Sequence, residues 1–103
     1  MIRVTPSAIR ELKTLLIEHP EDPIIRLSVK DLDDNQIGFR ITLEDSTQPD
    51  DEVQHIDGLT IAVEGQSISR MDGITLDYQK PGGFKFHHPE PQEEFKLNLF
   101  NLN

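Results

Sequence analysis

The segment from Met71 to Pro89, with the sequence MDGITLDYQKPGGFKFHHP, constrains the fold of this chain most strongly. Asp72-Gly73 is a tight-turn signal, and the apolar residues that follow it alternate with polar ones, as in a half-buried strand. Pro81-Gly82-Gly83 breaks this strand, and Phe84-Lys85-Phe86 resumes the alternation. The segment therefore predicts strands on either side of a turn, which favours a fold rich in short strands.

An amphipathic helix is predicted near the start of the chain. Thr5 suits the N-cap, and Pro6 suits the first helical position, where its missing N–H costs nothing. Apolar residues then recur at helical spacing up to Leu16. His19-Pro20 ends the helix, because a residue before proline disfavours the α region. We expect this helix to cover a sheet; the alternative is a helix that binds a partner.

Alternating apolar residues predict four strands in the middle of the chain, at residues 24–30, 37–43, 53–56 and 59–63. Asp57-Gly58 joins the last two in a hairpin. Residues 44–52 are predicted to be an acidic surface loop, residues 66–71 a short helix, and residues 95–99 one more strand. One helix followed by strands implies an α+β domain with an antiparallel-rich sheet or sandwich.

Length and charge limit the classes of function. The 103 residues suit a single domain, 1–103, in which residues 87–103 form an extra strand or tail. The net charge of −9 repels phosphate backbones and anionic membranes, so we expect neither nucleic acid nor membrane as a partner. The chain shows no signal peptide, no membrane-spanning stretch and no cysteine, which predicts a cytoplasmic protein.

Several segments together resemble the HesB/IscA-like family of A-type iron–sulfur carriers. The D-G-x-x-L-D-Y and G-F-K-F spacing of residues 72–86 is similar to the C-terminal block of that family. Residues 5–16 resemble its opening helix, residues 26–29 one of its strands, and residues 57–63 another. The resemblance covers roughly residues 3 to 89 and implies an N-terminal helix followed by the family's antiparallel-rich β-sandwich or pseudo-barrel.

The resemblance also implies where cluster ligands would lie, and there this chain departs from the family. A gap-free superposition of the family pattern places its first ligand cysteine at Asp34 and the C-terminal pair near Phe95 and Leu97. Clusters are held by thiolates, with histidine as the usual substitute. A single aspartate with two apolar residues is not a cluster site. We therefore expect a cysteine-free, divergent member with no cluster cofactor.

Two groups of residues could still bind a metal ion. Asp31, Asp33 and Asn35 have the spacing of the first oxygen ligands of a calcium loop, with Asp34 as a further charge. The rest of that motif is missing, and a polar connection between strands explains the residues equally well. We therefore predict at most weak binding of a divalent cation here.

The second group is His87-His88, followed by acidic residues. Imidazoles bind Zn²⁺ or Fe²⁺, but adjacent side chains of an extended segment point to opposite faces, so the pair cannot chelate as a unit. One of them would need a distant partner such as Asp34. Ordinary surface histidines are the alternative interpretation.

These observations lead to two hypotheses. The first is a non-enzymatic interaction or accessory protein related to iron–sulfur cluster biosynthesis, whose partners are proteins, iron–sulfur assembly factors among them. The alternative is a metal-ion binding protein with Asp, Asn and His ligands. The tail after residue 95 could also pair with the sheet edge of another chain and form a homodimer.

Overall fold

The computed structural model of the protein describes residues 1–32 and 36–88. Within them lie two helices, α1 (Pro6–Glu18) and α2 (Ile68–Met71), and a 3₁₀ turn at Gly65–Ser67 that leads into α2. The strands are β1 (Arg3–Val4), β2 (Ile24–Asp31), β3 (Ile37–Glu44), β4 (Glu52–Ile56), β5 (Leu59–Val63), β6 (Thr75–Gln79) and β7 (Gly83–His87). The predicted elements within the described ranges are all present.

The strands form two sheets. One has the order β3-β2-β5-β4 and the other the order β1-β6-β7. Pairs β2–β3, β4–β5 and β6–β7 are antiparallel, whereas β2–β5 and β1–β6 are parallel. The predicted α+β architecture with antiparallel-rich sheets is confirmed. The sequence did not predict β1, because two residues are too short for a periodic pattern.

Helix α1 begins and ends as its sequence predicts. The Thr5 hydroxyl accepts a hydrogen bond from the Ala8 amide at 3.2 Å, and Pro6 follows as the first helical residue. The His19 amide donates to the carbonyls of Leu15 and Leu16 after the last helical residue. Ala8 and Leu12 are completely buried. No helix in the described ranges is long and apolar enough to cross a membrane.

The hydrophobic core is built from α1 and the inward faces of the strands. Ile25, Leu27 and Val29 of β2 are buried, as their alternation predicts. The other buried apolar side chains of this cluster are Ile2, Ala8, Leu12, Leu59, Ile61, Val63, Met71, Ile74 and Leu76. The core is largely aliphatic, and aromatic residues such as Phe39 and Phe86 pack against its edge.

The turn between β4 and β5 has the geometry that Asp-Gly favours. Asp57 has φ of 49° and Gly58 has φ of 83°. Positive φ at both central residues is the pattern of a type I′ turn, whose twist matches that of two antiparallel strands. The predicted hairpin is confirmed, with β4 and β5 paired from Glu52↔Val63 to Ile56↔Leu59.

The prediction that residues 44–52 form only a solvated acidic loop was wrong for Asp51. Its side chain is completely buried, and its carboxylate accepts hydrogen bonds from Arg26 Nη2 at 3.0 Å and from the Gln48 amide at 2.8 Å. Burial raises the pKa of Asp51, but the hydrogen bonds and the charge of Arg26 outweigh it and hold the pKa below its ordinary value. Asp51 thus anchors the loop to β2. The predicted strand at residues 95–99 lies outside the described residues.

Candidate functional site

The connection between β2 and β3 is where the sequence predicted cation ligands. We call residues 31–32 and 36–38 the hairpin end. Asp31 pairs with Ile37 as the last pair of the ladder, and the Leu32 amide donates to the Gln36 carbonyl at 2.7 Å. A Cβ atom on Gly38 would lie 3.2 Å from Leu32 Cδ1, so glycine leaves room for the leucine to fold over the hairpin. Residues 33–35, with Asp33, Asp34 and Asn35, lie outside the described residues.

Strand β7 ends beside this hairpin. The ring of Phe86 stacks on that of Phe39 in β3, with ring centroids 4.6 Å apart. His88 lies against the same Phe39 ring at 5.8 Å. The chain therefore leaves the second sheet next to the hairpin end. The positions at which the resemblance places cluster ligands, Asp34, Phe95 and Leu97, lie outside the described residues.

Asp31 is held by a cation. Its Oδ1 atom lies 3.0 Å from Nη2 of Arg70 in α2. Both side chains are largely exposed, so the pair contributes little to stability. An arginine this close disfavours a second cation at the same carboxylate. Arg70 is 39 positions away in the sequence, and no local pattern indicated it.

The two histidines have different surroundings. His87 Nε2 lies 3.9 Å from Asp77 Oδ2, whereas His88 contacts Phe39. Asp77 accepts hydrogen bonds from the Thr5 hydroxyl at 2.7 Å and the Ser7 hydroxyl at 3.0 Å. The Thr5 bond, followed by those from the Tyr78 backbone and Ser7, holds the pKa of Asp77 below its ordinary value. Asp77 thus stays ionised beside His87.

The described ranges do not bring a set of metal ligands together. Within residues 1–32 and 36–88, no group of three or more His, Cys, Asp or Glu side chains could hold a metal ion. Instead, the hairpin has a shallow cavity of about 270 Å³. The residues that line it are Lys30, Leu32, Gly38, Phe39 and Arg40. Its chemistry is that of an apolar surface with two cations, which suits contact with a protein better than ligation.

Fold and site together define a β-sandwich with one capping helix, in which a hairpin and the end of a neighbouring sheet meet. The sequence model of a family described as "Iron-sulphur cluster biosynthesis" matches residues 1–97. The chain belongs to this family, and it is a cysteine-free member. The resemblance inferred from the sequence is thereby confirmed.

Relatives and solved structures agree with this assignment. "Iron-binding protein IscA" of Escherichia coli is 29% identical over 96 residues, which span 90% of each chain. A crystal structure of IscA with the [2Fe-2S] cluster matches with a TM-score of 0.76 and 27% identity, covering 86% of each chain. The structure of Escherichia coli SufA, involved in biosynthesis of iron–sulfur clusters, matches with a TM-score of 0.78 and 27% identity over 89% of this chain and 83% of its own.

The residues of this chain do not fit an iron–sulfur cluster. Its 103 residues contain no cysteine, and thiolates are the ligands that hold such clusters. Two charged side chains at or next to the hairpin end have ion-pair partners: Asp31 pairs with Arg70, and Lys30 of β2 lies 3.5 Å from Glu64. The family's scaffold is therefore present without any cysteine that could supply a thiolate.

Proposed function

We propose that this protein is a non-enzymatic accessory of iron–sulfur cluster biosynthesis, which contacts assembly proteins without carrying a cluster on thiolates. The observation that carries the proposal is the combination of a family match over residues 1–97 with the absence of cysteine. The protein partners would be iron–sulfur assembly factors in the cytoplasm, and the surface offered to them would be the hairpin end with Phe39 and Arg40.

Anaerobic reconstitution with Fe²⁺ and sulfide tests the first half of this proposal. We expect the protein to acquire no visible charge-transfer absorption after desalting. The matched comparison is the triple variant Asp34→Cys, Phe95→Cys, Leu97→Cys, which places thiolates at the positions that the family resemblance implies. Cluster uptake by the triple variant alone would support loss of ligation as the difference; uptake by the unmodified protein would overturn the proposal.

Affinity purification from cells that express the tagged protein tests the second half. We expect recovery of iron–sulfur assembly proteins, reduced in the variant Leu32→Ser/Arg40→Gln, which changes Leu32 of the hairpin end and the adjacent Arg40 of β3. The control variant Lys13→Gln alters an exposed residue of α1 and should leave recovery unchanged. Purification that yields no assembly protein would speak against this pathway.

The second candidate is a metal-ion binding protein that uses Asp31, Asp33, Asp34, Asn35, His87 and His88. The observation that favours it is the contact of His88 with Phe39, which places an imidazole beside β3, the strand that follows residues 33–35 in the chain. An amide NMR titration with Fe²⁺, Zn²⁺ and Ca²⁺ under reducing conditions tests it. Affinity for Zn²⁺ or Fe²⁺ that is equal in the His87→Ala/His88→Ala variant and in the His55→Ala control would exclude the histidines as ligands.

Self-association is a further part of the proposal. The alternating residues 95–102 could pair with a sheet edge of a second copy. Deletion of residues 95–103 should then convert a dimer into a monomer in light scattering. A protein that is monomeric both before and after the deletion would exclude the tail as a dimer contact.

A further inference from the structure

A second cavity lies between α1 and the end of β6, and none of its lining residues belongs to the hairpin end. Its volume is about 350 Å³, within the range of small-molecule sites. The residues that line it are Ser7, Arg10, Glu11, Thr14, Tyr78 and Lys80. The four from α1 are spaced i, i+3, i+4 and i+7, which places them along one stripe of the helix.

Two cations, Arg10 and Lys80, line this cavity, and a third, Lys85, lies close to the turn beside it. In the described parts of the chain, the charged groups of Arg10, Lys80 and Lys85 have no carboxylate within 4.0 Å, whereas Arg26 is paired with Asp51. Lys85 folds back over the turn that follows Lys80, so that a Cβ atom on Gly82 would lie 3.7 Å from its Nζ. The chain has 19 acidic and 10 basic residues, so this group of cations contrasts with its net negative charge.

The polar groups at the back of the cavity are already bonded. The single hydrogen of the Ser7 hydroxyl is shared between Asp77 Oδ1 at 3.0 Å and the Tyr78 carbonyl at 3.1 Å, and Asp77 Oδ1 also accepts from the Thr5 hydroxyl. The Tyr78 ring is held edge-on to Phe84, with centroids 4.9 Å apart, and forms a fixed apolar wall. The charges at and beside the cavity are therefore Arg10, Lys80 and the nearby Lys85, opposed by Glu11 and by the ionised Asp77 behind Ser7.

We propose that this cavity binds a small anion that carries a phosphate group, a function independent of the one proposed for the hairpin end. The three cations Arg10, Lys80 and Lys85 outnumber the carboxylates of Glu11 and Asp77 by one, and this local charge of +1 attracts a phosphate monoester of about −2. The arginine fork and the lysine ammonium are the groups that bind phosphate oxygens through charge-assisted hydrogen bonds. Tyr78 provides a surface for the apolar part of such a ligand.

Amide NMR titration with inorganic phosphate, at constant ionic strength, tests the proposal. We expect saturable shifts confined to Ser7, Arg10, Tyr78, Lys80 and Gly82. Arg10→Gln and Lys80→Gln should each weaken phosphate binding about tenfold, since each removes one charge-assisted hydrogen bond. Glu11→Gln should tighten binding several-fold, a gain that a poorly folded variant cannot imitate. Lys13→Gln, a change of an exposed cation on the same helix outside the cavity, should leave the affinity unchanged.

Other results would overturn the proposal. Shifts that do not saturate, or an equal loss in Lys13→Gln, would mean general attraction to positive charge. Weaker binding in Glu11→Gln would place the anion elsewhere. Succinate that binds more tightly than phosphate in the same titration would assign the cavity to carboxylates and exclude the phosphate class.

Discussion

The interior between the two sheets and the hairpin end differ in how closely their residues are constrained. In the interior, Gln54 is buried and bonds both backbone groups of Ile2, accepting from its amide at 3.1 Å and donating to its carbonyl at 2.7 Å. Across the described residues, every buried side-chain nitrogen or oxygen has a hydrogen-bond partner. At the hairpin end, Leu32 is 53% and Ile37 is 40% exposed, and Asp31 is largely in solvent.

Because of this difference, residues of the hairpin end can be substituted with little effect on the fold. Burial of apolar groups and satisfaction of buried polar groups hold the sandwich together, and both lie away from the hairpin end. Residues at the hairpin end contribute few buried contacts. Their replacement therefore changes chemistry and leaves the fold in place, and substitutions in the two regions should separate sharply in their effect on stability.

The largest effect is expected in the middle of β2. Leu27 is completely buried. Leu27→Ala removes its transfer free energy and leaves a cavity, so the free energy of unfolding should fall by about 3 kcal/mol. Urea denaturation measures the change. The control Ile17→Ala alters a side chain that is 80% exposed and should change stability by less than about 0.5 kcal/mol. Similar losses in both variants would contradict the assigned core.

Gln54 should show the next largest effect. Gln54→Leu keeps the side chain buried but leaves the Ile2 amide and carbonyl without partners, which should cost about 2.5 kcal/mol. Hydrogen exchange should locate the loss in β1, which the Gln54 side chain ties to the other sheet. His55→Gln, at an exposed neighbour on the same strand, is the control. A Gln54→Leu protein as stable as the original would show that the pairing with β6 and packing hold β1 without the Gln54 bonds.

Local signals in the sequence predicted most elements, and pairings between distant residues account for what was missed. The Thr5 cap and the Asp57-Gly58 turn are encoded within a few residues, and both have the expected geometry. The role of Gln54 is different, because its partner is 52 positions away and a glutamine on a strand resembles any polar-face residue. The parallel pairing of β2 with β5 likewise depends on how strands assemble, which periodicity does not specify.

The same reasoning applies to the candidate site. Within the described residues, His88 contacts Phe39 of β3. The sequence predicted the two groups of polar residues, and the position of Asp33, Asp34 and Asn35 relative to the histidines stays a prediction. The sequence did not indicate that Arg70 pairs with Asp31 or that Asp77 lies beside His87, because these partners come from other elements. The cavity of Arg10 and Lys80 was missed for the same reason, since its two cations are far apart in the chain.

Substitution of Asp51 tests whether this residue of the acidic loop contributes to stability as the buried interior does. Asp51→Ala leaves Arg26 without its closest carboxylate and should cost about 2 kcal/mol in urea denaturation. This is below the ~3–5 kcal/mol for a fully buried pair, because Arg26 is 22% exposed and keeps Glu64 at 3.7 Å. The exposed neighbour Asp50→Ala is the control. Equal stability of the two variants would mean that Asp51 is as exposed and as unimportant for stability as Asp50.

The pH dependence of stability should follow from the same carboxylates. The pKa values of Asp51 and Asp77 are lowered in the folded state. Their ionised forms therefore stabilise the fold above the unfolded-state pKa of about 3.9, and this contribution is lost as the pH falls through the lower folded-state values. Asp51→Asn should reduce the loss of stability on acidification from about pH 5. An unchanged acid profile would mean that Asp51 has its ordinary pKa.

The smallest effect is expected at the hairpin end, and it tests the comparison from the other side. Asp31→Asn removes an ion pair with Arg70 in which the carboxylate side chain is 79% and the arginine 40% exposed. Solvent screens such pairs, so the free energy of unfolding should change by less than about 0.5 kcal/mol, within the range of the control Asp45→Asn. A loss above about 1.5 kcal/mol would mean that the pair fixes α2 against β2. In that case the hairpin end would be part of the scaffold, and its residues could not have changed independently of the fold.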